Sequence, residues 1–338
     1  MDLSHLEKDL ISAGWAERLD GANLFFFPNY MAFSQAGGKK CIYVYSNCFV
    51  IPVLLSSKSA FKYAAFPSEP YRHSDGDEKM EAFVEETCEY LRKVYKIQWI
   101  QATPPSALFM SAPKNSKSIP FGSHVIDLSL TEEELWGKVH SKHRNVIKKA
   151  EKDGVEIVSG TDDKLIEDYH SIDIETWKRS NKNATEQESL RNQVRALGDD
   201  AIIYMAYLDG KPQSGAFFFY NKAMCYYMHG ANCDKPHTGA GNLLQWKAIL
   251  GMKETGVTKY SFVGCRINED ENSKFHGIQR FKERFGGELM QCYMFKVVYS
   301  PLMYNLYRML VNLRMSIAEK KIVKQEDIID QEWHKWKK

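Results

Sequence analysis

The sequence has no surplus of charge: 45 Lys and Arg stand against 43 Asp and Glu, a formal net of +2. A generic polyanion binder is excluded, and any anionic partner must be met by a local patch. Cysteine is scarce and its pattern unpaired, with seven residues at 41, 48, 88, 225, 233, 265 and 292 and no C-x-x-C among them. That arrangement argues against both a disulfide framework and a zinc site, and it fits a reducing compartment. No apolar run approaches the ~18–20 residues of a membrane span. Met1–Lys8 also lacks the basic-then-apolar plan of a signal peptide, so the expectation is a soluble, cytoplasmic chain. H-E-x-x-H, G-x-S-x-G and Asp-rich calcium loops are missing, and His143, His229, His237 and His276 lack ligand spacing. Metallohydrolase and serine-hydrolase chemistry is disfavoured, and no metal site is expected.

The 338 residues, 44% of them hydrophobic and 13% aromatic, can supply two cores. Leu24–Phe27, Ile42–Tyr45 and Cys48–Ile51 read as an antiparallel meander broken at Gly37-Gly38 and Ser46-Asn47. An amphipathic segment, Glu78–Lys93, then precedes a strand at Ile97–Ala102. Thr131 and Glu134 have capping-box spacing, with Leu130 and Leu135 at the staple positions, so a helix and a second domain begin there. Ala201–Tyr207, Gln213–Tyr220 and Ala223–His229 form a second meander with turns at Asp209-Gly210 and Asn221-Lys222. Helices at Asn242–Thr255 and Phe275–Phe285 and strands at Lys259–Val263 and Leu289–Val298 follow. The predicted class is α+β, divided as residues 1–130, 131–300 and a C-terminal helical extension, 301–338. In that extension Leu302, Tyr304, Leu306, Tyr307, Leu310 and Leu313 share a stripe with Arg308 and Arg314 nearby. A core-docking helix is the favoured reading, with peripheral membrane contact left open.

Three local features can carry chemistry. Lys138–Lys152 holds six basic residues against one acid, with Arg144, Lys148 and Lys152 at i, i+4 and i+8. Like charges on one helical face repel unless an anion sits between them, although a solvated face explains the pattern equally well. Gly239, Gly241 and Asn242 enter a helix, where free amides and the helix dipole can receive an anion; a tight turn without a ligand is the alternative. Phe281 and Phe285 lie one turn apart with Lys282 beside the apolar stripe, a position from which a lysine reaches a cleft or simply snorkels.

Lys142–Val155, Tyr227–Ile249 and Gly277–Gly287, in that order and spacing, resemble the Fem family of peptidoglycan-bridge aminoacyltransferases within the GNAT-like acyltransferases. The resemblance covers about Thr131–Pro301. It implies two GNAT-like domains with a cleft between them, each a twisted mixed sheet with flanking helices. It also implies transfer of an aminoacyl group from tRNA to an amine of a cell-wall precursor. By motif, Phe281 and Lys282 match the pair at the acyl-transfer centre. Trp177 and Arg179, in Thr176-Trp177-Lys178-Arg179, fall at the acceptor's diphosphate, and Tyr227 lines the acceptor cleft. The chain departs from the pattern in three places. Only Asn181–Leu197 stands where some members carry a long helical arm; Ser34-Gln35 stands near an expected lysine; and Tyr260-Ser261-Phe262 replaces an acidic Tyr-Asp-Phe.

These features lead to an N-acyltransferase with no permanently bound cofactor. Aminoacyl-tRNA or acyl-CoA is the co-substrate, and an envelope-precursor amine with a diphosphate is the acceptor. The alternatives are a CoA-dependent transferase acting on a sugar or peptide amine, with the Gly239–Asn242 turn as its pyrophosphate cradle, and a catalytically silent binding protein. No dedicated base stands out; Asp173 and Glu175 qualify only by proximity to Arg179.

Overall fold

The computed structural model describes residues 1–179, 183–267, 273–319, 322, 324 and 326–336. The chain forms two compact units, Met1–Gly122 together with Gln291–Lys338, and Ser123–Met290. The sequence division had assigned 291–300 to the second domain and set 301–338 apart; both segments fall in the first unit.

In the first unit the strand Lys40–Tyr45 pairs antiparallel with Phe49–Lys58, setting Ile42 opposite Val53. Phe61–Ala65 extends the sheet antiparallel, and the short strand Trp99–Ile100 then pairs parallel with it. Successive residues face opposite ways. Ile42, Val44, Ile51 and Val53 therefore pack with Phe83, Val84, Cys88 and Leu91 of the helix Met80–Tyr95. Cys41, Tyr43, Val50 and Leu54 pack on the other side with Leu10, Trp15, Phe26 and Met31. Both faces are covered, which is why these strands read as unbroken apolar runs.

Leu24–Phe27 is not a strand. Asn23 accepts the Phe25 N–H, which nucleates a 3₁₀ turn at Leu24–Phe26, and Pro28 then opens the helix Pro28–Ala36. Proline at the first helical position gives up an amide that would be unbonded in any case.

The C-terminal helix, Pro301–Glu319, divides the stripe read from the sequence. Tyr307 packs on Phe61, Tyr63 and Trp99, and Tyr304 on Trp99, with ring centroids 5.1–5.7 Å apart. Leu302, Leu306, Leu310 and Leu313 remain exposed, Leu302 at 78%. The helix docks through its tyrosines, and the leucine side of the core-docking reading is overturned.

The second unit is a sheet in the order Lys117–Asp127 (its end from Ser123), Lys259–Ser261, Cys225–Asn232, Lys211–Tyr220, Ala201–Leu208, Glu156–Gly160. Among these strands the one parallel pairing sets Cys225 opposite Tyr260, as a strand–helix–strand crossover requires. Gly215 faces the helix Asp163–Lys178, where an added Cβ would lie 2.8 Å from Tyr169, while Ala216 and Phe218 face the helix Ala240–Glu254. The Thr131 capping box forms as expected. The helix it starts stops at Lys138, however, and a second one runs Ser141–Lys152, its first turn capped by the His140 ring on the Lys142 N–H.

Candidate active site

A cavity of about 820 Å³ opens in the second unit. Its wall brings together Trp177, Arg179, Tyr227, Gly239, Gly241, Asn242, Phe281 and Lys282, which come from four stretches of sequence. Every residue lining it belongs to Ser123–Met290, so the walls described here come from one unit.

Lys282 lies at the end of the helix Lys274–Glu283, which Ser273 caps by accepting the His276 N–H at 3.0 Å. Two packing contacts fix the approach of that helix. The buried His143 donates through Nε2 to the Phe281 carbonyl at 3.0 Å, and its ring lies 4.8 Å from that of Phe285. The Lys282 ammonium donates to two successive backbone carbonyls, those of Val263 and, at 2.8 Å, Gly264. Both residues sit in the left-handed region, Gly264 at φ 72° and Val263 at φ 42°. That conformation is strained for a β-branched side chain, and it aims both carbonyls at the lysine. Ser261 supports the turn. Its buried hydroxyl accepts the Val263 N–H at 3.3 Å and bonds Ser123 at 2.8 Å. A neutral hydroxyl thus stands where the resembled pattern has an acid. Burial lowers the Lys282 pKa to about 8, and among the described residues no carboxylate offsets the effect.

Tyr227 forms another part of the wall. Gly230 makes room for it, since a Cβ there would lie 1.8 Å from the Tyr227 hydroxyl oxygen. Gln245, buried within a helix, accepts the Tyr260 hydroxyl through Oε1 and hydrogen-bonds Tyr227. Burial pushes the Tyr227 pKa up to about 12, so it remains a neutral phenol with a proton to donate.

The helix Ala240–Glu254 begins at Gly239 with φ 90° and no side-chain cap; the Ala240 N–H donates to the His237 carbonyl at 3.1 Å, while Gly239, Gly241 and Asn242 line the cavity. Gly239 also packs against the preceding basic helix: a Cβ there would lie 2.2 Å from the Val146 carbonyl oxygen. Gly241 lies over Ser214 and Asn232, whose side chains hydrogen-bond at 2.8 Å.

The basic face of Arg144, Lys148 and Lys152 does not join this wall. Arg144 donates to the carbonyls of Trp136, Gly137 and Val139, closing the C-terminus of the helix Glu132–Lys138, and the Lys148 ammonium lies 5.9 Å from the Trp136 ring centre. Helix-end carbonyls occupy Arg144 and an indole lies near Lys148, while the Lys148 and Lys152 side chains stay exposed.

Arg179 reaches the cavity but is heavily engaged. It donates to the Asn232 carbonyl at 2.9 Å, to Cys233 at 3.1 Å and to Thr176 Oγ1 at 3.2 Å, with Asp234 at 3.8 Å. Thr176 and Asn232 also exchange hydrogen bonds, so Thr-x-x-Arg clamps a helix end to a strand end. Neither Asp173 nor Glu175 lines the cavity. Asp173 is buried in a side chamber of about 240 Å³ with Tyr169, Trp177 and Met228, where desolvation raises its pKa; Glu175 accepts the Asp234 N–H. Sequence reading missed His143, Gln245 and the Val263–Gly264 turn; of these only Gly264 carried a local signal.

Residues 137–283 match the family of the acetyltransferase (GNAT) domain. Aminoacyltransferase FemA of Staphylococcus epidermidis is 26% identical over 159 residues, which cover 44% of this chain and 38% of that protein. The chain thus spans well under half the length of the curated relative it matches. Among solved structures, FemX superposes with a TM-score of 0.67 at 14% identity, covering 90% of this chain and 99% of that one. The C-terminal domain of a putative lysylphosphatidylglycerol synthetase from Agrobacterium fabrum gives 0.56 at 13% identity, over 88% and 96%. A tandem GNAT protein from the clavulanic acid biosynthesis pathway gives 0.50 at 11%, over 89% and 99%. The fold is therefore the α+β, tandem-GNAT class expected from the sequence. Within that fold the chain is similar to the acetyltransferase (GNAT) domain over residues 137–283 and to FemA over 44% of its length.

Proposed function

We propose that the chain is an N-acyltransferase that moves an aminoacyl group from tRNA to an amine of a peptidoglycan-type precursor in the cytoplasm. The observation that carries this reading is the convergence of Lys282, Phe281, Tyr227 and the uncapped helix entrance on one cavity. A neutral amine attacks an ester carbonyl, and charge develops on the carbonyl oxygen and then on the leaving oxygen. Lys282, half-buried and held by two carbonyls, presents an ammonium to that charge, and Tyr227, which lines the same cavity, offers a hydroxyl proton. A lysine with a pKa of about 8 stays mostly protonated at neutral pH yet releases its proton readily, which suits a group that protonates the leaving oxygen as the C–O bond breaks; the attacking amine loses its proton to water as the C–N bond forms, and the lysine is reprotonated from solvent. Arg179 and Trp177 at the rim fit the acceptor's diphosphate end, Arg179 through the N–H groups its backbone partners leave uncommitted.

The helix entrance at Gly239–Asn242, which no side chain caps although the Ala240 N–H bonds the His237 carbonyl, favours a second reading, an acyl-CoA donor whose pyrophosphate rests on the helix N-terminus. Equilibrium binding of charged tRNA and acetyl-CoA to the full chain, followed by single-turnover transfer to a nucleotide-sugar peptide, separates the two. Saturable tRNA binding with transfer is expected. Turnover with acetyl-CoA alone would replace the donor, and no turnover with either would leave only a binding protein.

A further inference from the structure

The helix Pro301–Glu319 has two unlike sides. At 100° per residue, Leu302, Leu306, Met309, Leu310, Leu313 and Ile317 fall within an arc of about 100°. All six are exposed, from 39% at Leu306 to 78% at Leu302. Tyr304 and Tyr307 lie on the far side and hold the helix to its own unit. The stripe runs for about 22 Å and carries no charge. Contiguous apolar surface of this kind is rare on a monomer and marks a contact face.

Charge identifies what the face meets. Residues 301–318 contain no acid and the helix closes on Glu319; Arg308 and Arg314 lie on the helix, Arg314 exposed beside the stripe, and the sequence continues through Lys320 and Lys321, while Lys324 is paired with Glu326 at 2.8 Å. Nearby Asp330 is already paired with Lys117, Lys296 and Arg308, so it does not neutralise Arg314. A second copy of the chain would bring the same positive border against itself. An anionic bilayer instead supplies both an apolar interior for the stripe and a negative surface for its basic border.

We propose that Pro301–Glu319 is a membrane-surface helix, lying in the headgroup region of anionic lipid with its leucine stripe immersed and its tyrosine side holding the protein. The inference stands independently of the acyl-transfer reading, because vesicle binding requires no substrate.

Co-sedimentation of the full chain tests it, using vesicles of equal parts phosphatidylglycerol and phosphatidylcholine and vesicles of phosphatidylcholine alone. Binding to the anionic vesicles is expected, with loss of about tenfold or more in the triple variant L306Q/L310Q/L313Q and about fivefold in Arg314→Gln. Leu306→Trp adds a readout that does not depend on the triple variant folding: the emission this variant gains over wild type shifts to the blue when the anionic vesicles are added. Equal binding by wild type and triple variant, or an unshifted added emission from Leu306→Trp, overturns the proposal. So does a concentration-dependent dimer, abolished by the triple variant, in a chain that ignores vesicles; that result assigns the stripe to a second copy.

Discussion

Replacing Lys282 by methionine tests the site through stability and rate at once. In the folded protein the ammonium pKa falls from 10.5 to about 8 because the group is desolvated. At 1.36 kcal/mol per pH unit, holding the charged form in the cavity wall costs on the order of 3 kcal/mol. At this lysine the unfolded chain binds more protons than the folded one between about pH 8 and 10.5. The lysine's destabilisation is therefore complete below 8 and fades as pH rises to 10.5. Methionine removes that cost at pH 7 but leaves the Val263 and Gly264 carbonyls without their partner, a loss of about 1–3 kcal/mol each. The two nearly cancel at pH 7. By pH 10.5 the wild type should have gained about 3 kcal/mol on the variant. Urea denaturation of both proteins across this range measures the gap, and taking the difference removes the tyrosines and cysteines they share. Parallel stability profiles would refute the half-buried, carbonyl-held ammonium. For the rate, loss of one preorganised charge in a dry site costs about 10²–10³ in kcat. Wild-type activity should fall as pH rises through about 8, since the ammonium is the active form. A rise through the same pH would make the neutral amine a base and reverse the proposed role.

Gly239→Ala should lower stability by about 2 kcal/mol or more. The new Cβ meets the Val146 carbonyl at 2.2 Å from a φ of 90°, and thermal melting with a donor-binding assay will show both fold and helix entrance disturbed. Arg179→Lys should cost about 1–2 kcal/mol of stability. The planar fork that reaches Asn232, Cys233 and Thr176 together is lost, so calorimetric titration of the acceptor must be run beside a melting curve to separate a loosened clamp from lost phosphate contact.

Much of the site was legible because its motifs are local. Tyr227, Gly239–Asn242 and Phe281-Lys282 could each be picked out as short patterns, and the fold brings them to one wall. What holds Lys282 was not legible. Val263 reads as the end of a β-strand, and nothing in its side chain signals a left-handed backbone imposed by the turn around it. Gln245 reads as an ordinary helical residue, and only the crossover that sets Tyr260 and Tyr227 beside it makes its amide a bridge. The engagement of Arg144, in the basic face it shares with Lys148 and Lys152, was not legible for a related reason. Charge spacing along a helix does not reveal that the preceding helix ends at Lys138 and offers its carbonyls to Arg144. The C-terminal stripe shows the same limit, since periodicity sorts residues by face without saying which face is covered.

Because carbonyl dipoles hold Lys282 and no counter-ion among the described residues does, added electrolyte has little to act on there. Mobile ions screen pairs of opposite charges and hardly touch peptide dipoles a few ångströms from a half-buried ammonium. Substrate capture, if it draws on exposed basic groups, will weaken as ionic strength rises. The acidity of the lysine itself will stay nearly constant, so salt should separate the binding step from the chemical one.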